Sequence, residues 1–376
     1  MKCELGTICS RLSSGKNIPA KFVCSQGKYP VYGGNGLRGY TDTYNFDGEC
    51  AIIGRQGAFC GNVRYFKGTA YMTEHAVVVC ADEHNNTQYL AYLLSTMQLG
   101  RLSGQSAQPG LSVKTLSKQV VDVPSLEVQC KIAAILRSLD DKIELNNKIN
   151  ENLERQLRTI FKARFTDNPT LESMMQIPLS ELCCVITKGT TPTTLGKPFV
   201  KSGINFIKAE SILDNHSIDK SKFAFIDHDT NTLLKRSAIQ AGDIVFTIAG
   251  TLGRFALIDE NVLPANTNQA VAIIRVDVEK VLPEYIYTCL LGEWHTDYYS
   301  KRVQQAVQAN LSLTTIKSLP VPVLNREEMN KYMRLILPLI RAIKENEIQN
   351  EKLSVLRNTL LPKLMSSEID VSDNRI

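Results

Sequence analysis

Two stretches of this chain spell the same pattern in the same order, and a duplicated chain must satisfy one scaffold twice. Leu5-Gly-Thr-Ile-Cys9 aligns with Leu179-Ser-Glu-Leu-Cys183 at an offset of 174, and six residues after each block stand Gly15 and Gly189. Thr73-Glu-His-Ala-Val77 aligns with Thr267-Asn-Gln-Ala-Val271 at an offset of 194, and Gln108-Pro-Gly-Leu-Ser112 with Gln308-Ala-Asn-Leu-Ser312 at 200. The order never changes while the offset grows, so the second copy carries insertions, mainly around residues 190–240.

Each copy follows one plan. A segment rich in Gly, Tyr and Thr comes first, with short β-type runs at Cys50–Ile53, His75–Val79, Asp243–Phe246 and Ala270–Arg275. A helical piece follows (Gln88–Met97, Glu284–Leu291), and a proline, Pro124 or Pro322, marks the end of the mixed part. Then comes a long stretch without glycine that reads as helix. In the first of these, Ile132, Leu139, Asn146, Leu153 and Ile160 fall seven apart, with Leu136, Ile143 and Leu157 four residues after members of the series. In the second the same register returns 200 residues later as Tyr332, Leu339, Asn346, Leu353 and Leu360. A heptad seam with a shared polar interruption predicts a paired helical spacer. Pro338 lies inside the second pattern, where it predicts a kink or an early end, and Pro362 is expected to close the helix. The expected organisation is α/β, with globular blocks at 1–125 and 166–325 and spacer helices at 126–165 and 326–376.

Charge and motifs narrow the function. The chain is +5 overall, but residues 1–125 hold 12 Lys/Arg against 8 Asp/Glu while residues 166–325 hold 14 against 16. DNA binding by the second block would therefore need basic residues gathered on one face. The ten cysteines form no Cys-x-x-Cys pair and read as reduced thiols of a cytoplasmic protein; no secretory signal or membrane-length apolar run is visible. Gly34-Asn-Gly-Leu-Arg-Gly39 matches a dinucleotide-binding string, yet Tyr40–Phe46 after it is turn and strand material rather than an opening helix, so the string reads as a loop. There is no phosphate-binding loop, no Asn-Pro-Pro-Tyr-like element (Asn168-Pro169 runs on into Thr170) and no ligand spacing among His75, His84, His216, His228 and His295. Asp140-Asp141-Lys142 lies on the heptad helix, away from any strand that a nuclease site would use. No catalytic residue and no metal site are expected.

The layout of two globular blocks, each followed by a long helix, resembles the specificity subunits of Type I restriction–modification systems. The resemblance covers essentially the whole chain and is sharpest at Lys28-Tyr-Pro-Val-Tyr-Gly-Gly-Asn-Gly36, Ile52-Ile-Gly-Arg-Gln-Gly57, Asn310-Leu-Ser-Leu313 and Leu360-Leu-Pro-Lys-Leu-Met365. It implies two target-recognition domains, each reading half of a bipartite site in double-stranded DNA, separated by helices that form an antiparallel coiled coil. It also implies docking of two methyltransferase subunits for adenine N6-methylation and of two restriction/translocase subunits. S-adenosylmethionine, ATP and Mg belong to those partners in this reading, and no cofactor to this chain. Block one begins almost at residue 1, without the short leader of many relatives, and its glycine-rich first half is only loosely like that of block two, so the two half-sites are expected to differ. The competing reading is a coiled-coil adaptor that binds no nucleic acid.

Bases are read in the major groove by Arg, Lys, Asn and Gln on loops or helix ends. The candidates are Lys16, Arg38, Arg55 and Arg64, set among Tyr29, Tyr32 and Tyr40, in block one, and Lys188, Thr190, Thr191, Lys197, Lys208 and Arg254 in block two. Arg55 and Arg254 stand out because both adjoin Gly-bounded turns, Gly54–Gly57 and Gly250–Gly253, and they suit backbone positioning as well as base reading. For the helices the expectation is that Asn146 and Asn346 meet near the centre of an antiparallel pair. A helix over residues 126–162 would be a rod of about 55 Å at ~1.5 Å per residue, enough to hold two domains about one DNA turn apart.

Overall fold

The computed structural model describes residues 1–103, 110–167, 175–292, 298 and 310–372. Gln108, Gln308, Asn168-Pro169-Thr170 and His295 lie outside the described residues. The chain divides into two compact units, Met1–Glu144 with Asn350–Ile376, and Leu145–Gln349.

The first unit contains β1 (Lys2–Glu4), β2 (Cys9–Ser14), β3 (Tyr29–Gly33), β4 (Gly36–Thr41), β5 (Phe46–Gly54), β6 (Val63–Met72) and β7 (Ala76–Ala81). These are followed by α1 (Thr87–Thr96), α2 (Val113–Ser117), β8 (Val120–Asp122) and the long helix α3 (Leu126–Phe161), whose first half belongs to this unit. Six strands form one sheet in the order β2-β7-β5-β6-β3-β4, and β1 pairs with β8. Gly48 and Gly68 face each other across β5 and β6 at φ 126° and 134°, angles that residues with a Cβ avoid. At the end of β6 the Met72 carbonyl accepts from the Lys16 N–H at 2.9 Å. One sheet face packs Ala51, Ile53, Val77 and Val79 against Leu90 and Leu94 of α1 and Ile132 and Leu136 of α3.

The second unit repeats this topology with β9 (Gln176–Pro178), β10 (Cys183–Lys188), β11 (Ile204–Ile207), β12 (Ala224–Ile226), α4 (His228–Leu233), β13 (Ile244–Thr247), β14 (Phe255–Leu257), β15 (Ala265–Thr267) and β16 (Val271–Val276). It continues through α5 (Pro283–Leu291), α6 (Leu313–Lys317), β17 (Pro320–Pro322) and the long helix α7 (Arg326–Met365). The order β10-β16-β13-β14 copies β2-β7-β5-β6, and β17 pairs with β9 as β8 does with β1. The parallel pairing of β11 with β15, and the antiparallel pairing of β11 with β12, copy those of β3 with β6 and β4. The long β6 is thus split into β14 and β15, and the short β3–β4 turn becomes residues 208–223, inside the region where the sequence offset grows.

The matched glycines explain why their spacing repeats. A Cβ on Gly15 would stand 2.1 Å from the Met72 carbonyl oxygen, and one on Gly189 1.8 Å from that of Thr267. Backbone meets backbone there, and no side chain fits. Ser112 and Ser312 in turn cap α2 and α6 by accepting from the N–H of Thr115 and Thr315.

The long helices pair antiparallel within each unit. In the first unit Arg357 of α7 reaches Asp140 of α3 at 2.7 Å, and Ile132 shares a core with Leu364 and Leu360. In the second, Phe165 just past α3 packs on Tyr332 (5.3 Å between ring centroids), while Leu157 and Phe161 share a core with Ile336, Ile340 and Ile343. Leu153, Ile160 and Leu339 flank that core, and Leu139 and Leu353 are half-buried, so burial is deepest on the widened side of the heptad series. Asn146 is fully buried. It donates to Gln349 at 2.8 Å and Asn346 donates to Asn150 at 2.8 Å, so each asparagine finds a polar partner about one turn from its counterpart and not the counterpart itself.

The early end at Pro338 and the stop at Pro362 need correction. α7 runs unbroken through Pro338 and past Pro362 to Met365. Pro338 and Arg334, whose carbonyl loses its helical donor, are exposed, so water satisfies that oxygen, while buried Ile336 and Ile340 hold the helix on either side. Among the described residues no helix is long and apolar enough to cross a membrane.

Candidate nucleic-acid interface

In the first unit the four predicted residues gather around the β3–β4 turn. Lys16 follows Gly15 at the end of β2 and is exposed. The Arg55 N–H donates to the His75 carbonyl at 2.9 Å, its carbonyl accepts from Leu111 at 2.8 Å, and its Nη1 reaches Ser14 Oγ at 3.5 Å. Gly34 lies under this contact, its Cβ position 3.0 Å from the His75 oxygen and 3.5 Å from the Arg55 nitrogen. The Arg38 side chain lies over Gly33, with Cδ 2.7 Å from where a Cβ would be, and the Arg64 guanidinium lies at 3.1 Å from the same point on Gly36. The string resembling a nucleotide loop is therefore a tight hairpin turn (φ 95° at Gly36) with the Arg38 and Arg64 side chains laid over its glycines.

None of Lys16, Arg38, Arg55 or Arg64 makes an ion pair with a carboxylate among the described residues. Apart from the Arg55 contact to Ser14, their charge is unopposed by carboxylates among the described residues, and such guanidinium groups make a local anion-attracting surface. Tyr29 stacks at 5.0 Å on Tyr44 with Lys28 above it at 5.1 Å, and Tyr32 packs at 5.0 Å on Phe66, so these tyrosines brace the hairpin.

The second unit treats its predicted residues differently. Lys188, Thr190 and Thr191 come together where β10 ends, and Thr191 donates its hydroxyl to Oε1 of Gln269. Lys197 closes the same loop by donating its N–H to the Pro192 carbonyl at 3.1 Å. Lys208 stands apart, over Phe199 at 5.3 Å and 3.7 Å from Glu210. Arg254 is engaged by Asp214 through two hydrogen bonds of 2.6 and 2.7 Å and donates to the Ile212 carbonyl at 3.3 Å. Although the two Gly-bounded turns both join paired strands, Arg55 leaves the first strand of its hairpin and Arg254 enters the second of its own, so the two arginines do not occupy equivalent positions.

Two features escaped the sequence reading. Arg236 donates Nη2 to the Lys188 carbonyl (3.4 Å) and the Thr190 hydroxyl (3.5 Å). It lies in the inserted region, where no counterpart in the first copy could point to it. His216, with φ 61°, stacks on Phe255 at 4.1 Å and faces Arg158 at 3.2 Å through Nε2. Arginine only donates, so Nε2 accepts and Nδ1–H donates to the Phe255 carbonyl at 3.3 Å. Burial, then the Arg158 charge, push the imidazole down to about 4, and the histidine is a neutral structural group.

The model for the Type I restriction modification DNA specificity domain matches residues 1–155 and 172–353. The chain belongs to that family. Over 145 residues it is 43% identical to the EcoprrI Type I specificity subunit of Escherichia coli, a match covering 38% of this chain and 35% of that one. The MjaIX specificity subunit of Methanocaldococcus jannaschii is 27% identical over 312 residues, covering 76% and 70% of the two chains. Among solved structures, the Type I restriction-modification S subunit from M. genitalium shares the fold at a TM-score of 0.59 and 17% identity, over 97% of this chain and 95% of that one. As a member of the specificity family the chain is a DNA sequence-recognition subunit, and the adaptor reading falls. It is not itself the catalyst; the enzymatic activity of such a system lies in partner subunits. DNA and those modification and restriction subunits are its partners in general terms.

Proposed function

We propose that each globular unit reads one half of a bipartite duplex site, with the arginines around the Gly33–Gly36 turn reading the first half. In the complete assembly this chain joins two methyltransferase subunits and two restriction/translocase subunits in the cytoplasm as a host-defence system. S-adenosylmethionine for adenine N6-methylation, and ATP with Mg, enter through those partners. The observation that carries the reading is that the Arg38 and Arg64 side chains lie over Gly33 and Gly36 of one turn while the Arg55 backbone borders Gly34, all three without carboxylate partners among the described residues. An arginine fork matches the O6 and N7 acceptors of guanine, and a phosphate equally well.

The test assembles the full chain with its methyltransferase subunits, maps the methylated adenines to find the site, and measures duplex affinity at several salt concentrations. Arg38→Ala, Arg55→Ala and Arg64→Ala should each weaken binding by about 10-fold. A base-reading arginine relaxes one position of the first half-site, whereas a phosphate-bound one lowers the salt slope by about 1 at every sequence. Wild-type affinity in the triple variant would remove this surface from the interface. Exchanging residues 1–125 for those of a relative should change one half-site and spare the other.

A further inference from the structure

The globular part of the second unit carries three arginines among its described residues, and two are spoken for. Arg275 pairs with Asp243 at 2.7 Å and Arg254 with Asp214 at 2.6 Å. Arg236 has no carboxylate within ion-pair distance among the described residues. It is exposed, and its bonds among the described residues run from Nη2 to the loop leaving β10. Nε and Nη1 carry no partner among the described residues, and Nη2, the nitrogen that both two-donor edges of a guanidinium share, is held only by contacts of 3.4 and 3.5 Å. The group is therefore tethered beside the loop, and its Nη1–Nη2 edge opens when those weak contacts yield to a better acceptor. The groups gathered beside it, Lys188, Thr190, Thr191 and Gln269, are cationic or neutral.

We propose that Arg236 is the base-reading arginine of the second recognition domain, and that it selects a guanine through N7 and O6 in the major groove of the second half-site. The proposal rests on that unit's reading DNA. Arginine pairs with guanine through two donors of its planar fork, and the fork discriminates best when it is already held in place. The Lys188 carbonyl and Thr190 hydroxyl keep the side chain beside the loop until base acceptors replace them. Arg254 cannot serve as well, because two of its donors are committed to Asp214 and a third nitrogen to the Ile212 carbonyl. Lys188, whose carbonyl Arg236 contacts, adds a point charge suited to phosphate on the same loop. The bulk charge of residues 166–325, 14 basic against 16 acidic, therefore conceals a local basic edge.

The experiment uses the full chain in complex with its methyltransferase subunits and a panel of duplexes carrying every base-pair change in the mapped site. Arg236→Ala should lose about 10- to 100-fold discrimination at one G·C pair of the second half-site and keep discrimination across the first. Replacing that guanine by 7-deazaguanine should weaken the wild type and leave Arg236→Ala indifferent. Arg236→Lys, which keeps the charge, should keep non-specific affinity and lose the discrimination, and it reports even where the alanine variant folds poorly. If Arg236→Ala weakens every duplex alike with a salt slope lower by about 1, the residue is a phosphate contact and the proposal is overturned. Unchanged discrimination in both variants overturns it as well. If instead the wild-type complex shows no sequence preference in the second half-site, the fault lies with that unit's reading DNA and not with the choice of Arg236.

Discussion

The two units place different chemistry on the same lattice. Ala51 pairs with Val79 in the first sheet as Ile244 pairs with Ile274 in the second, which puts Cys50 and Cys80 where Asp243 and Arg275 stand. Burial pushes the Cys50 thiol up to about 12, so the first unit fills the position with a neutral thiol. The second fills it with an ion pair, Asp243 being 1% exposed and accepting from both Arg275 and the Gln240 N–H. The same contrast holds at the surface. Arg38 and Arg64 of the first unit lie over glycines without a carboxylate among the described residues, whereas Arg254 is tied to Asp214. Arginine in the second unit is largely a structural residue, and counting basic residues misjudges its reading surface.

Arg275→Ala should break that contrast most severely. It strands a buried carboxylate, and such a loss costs about 3–5 kcal/mol. Hydrogen exchange should speed up over β16 and stay slow over β7. The double variant Asp243→Cys/Arg275→Cys, under reducing conditions, should recover much of the loss, because the first unit already holds two thiols there and exchanging a buried ion pair for neutral groups is often close to neutral. Arg254→Ala should cost under about 1 kcal/mol, since Asp214 is 82% exposed and hydrates readily. A large loss from Arg254→Ala together with a small one from Arg275→Ala would reverse the comparison.

Gly15→Ala and Gly189→Ala sharpen it from the other side. Each places a Cβ within 2.1 Å of a backbone carbonyl oxygen, and backbone cannot turn aside as a side chain would. Each should cost about 1–3 kcal/mol in denaturant titrations, with the two losses similar. A loss confined to one variant would mean that the shared glycine serves only one copy.

What could be read from residues alone follows from where the information is local. The heptads announce paired helices because side chains at helical spacing share a face whatever they pack on. The glycine, serine and strand landmarks announce two scaffolds because the chain supplies its own comparison. Arg236 was invisible because residues 208–240 have few counterparts to compare. The equivalence of β11 with β3 was hidden because it rests on parallel pairing with β15, some sixty residues away (Asn205 opposite Ala265). Pro338 was misjudged because its cost depends on which face meets water. The pairing partners Gln349 and Asn150 were missed because a shared heptad register specifies faces but not the axial offset between antiparallel helices.

The smallest effect concerns the helix pairs, where the units again differ. The first unit holds Asp140 to Arg357 at 2.7 Å, while the second gathers Glu154, Arg158, His216, Lys344, Glu347 and Asp259 around Tyr287 and the end of β14. Burial, opposed by Arg158 and aided by Glu347 and Glu151, pushes the Glu154 carboxyl up to about 7. The folded unit thus keeps a proton that the unfolded chain releases from about 4.5 upward, so the Glu154 contribution favours folding at acid pH and is lost between pH 4.5 and 7. His216 acts in the opposite sense. The unfolded chain binds its proton below about 6.5 and the folded unit only near 4, so stability falls as pH drops through that window. The two slopes oppose each other between pH 4.5 and 6.5, with Glu347, whose carboxyl burial also pushes up, acting in the sense of Glu154. Glu154→Gln removes one of them. Stability followed by hydrogen exchange over α5 should then rise with pH across this window, by on the order of 1 kcal/mol after allowance for the partial exposure of the site. Replacing His216 with Asn should expose the reverse slope, while exchange over α1 in the first unit should show neither change. A flat profile in both variants would mean that these groups sit in enough water to titrate at their ordinary values, and that the helix pairs of the two units do not differ in this respect.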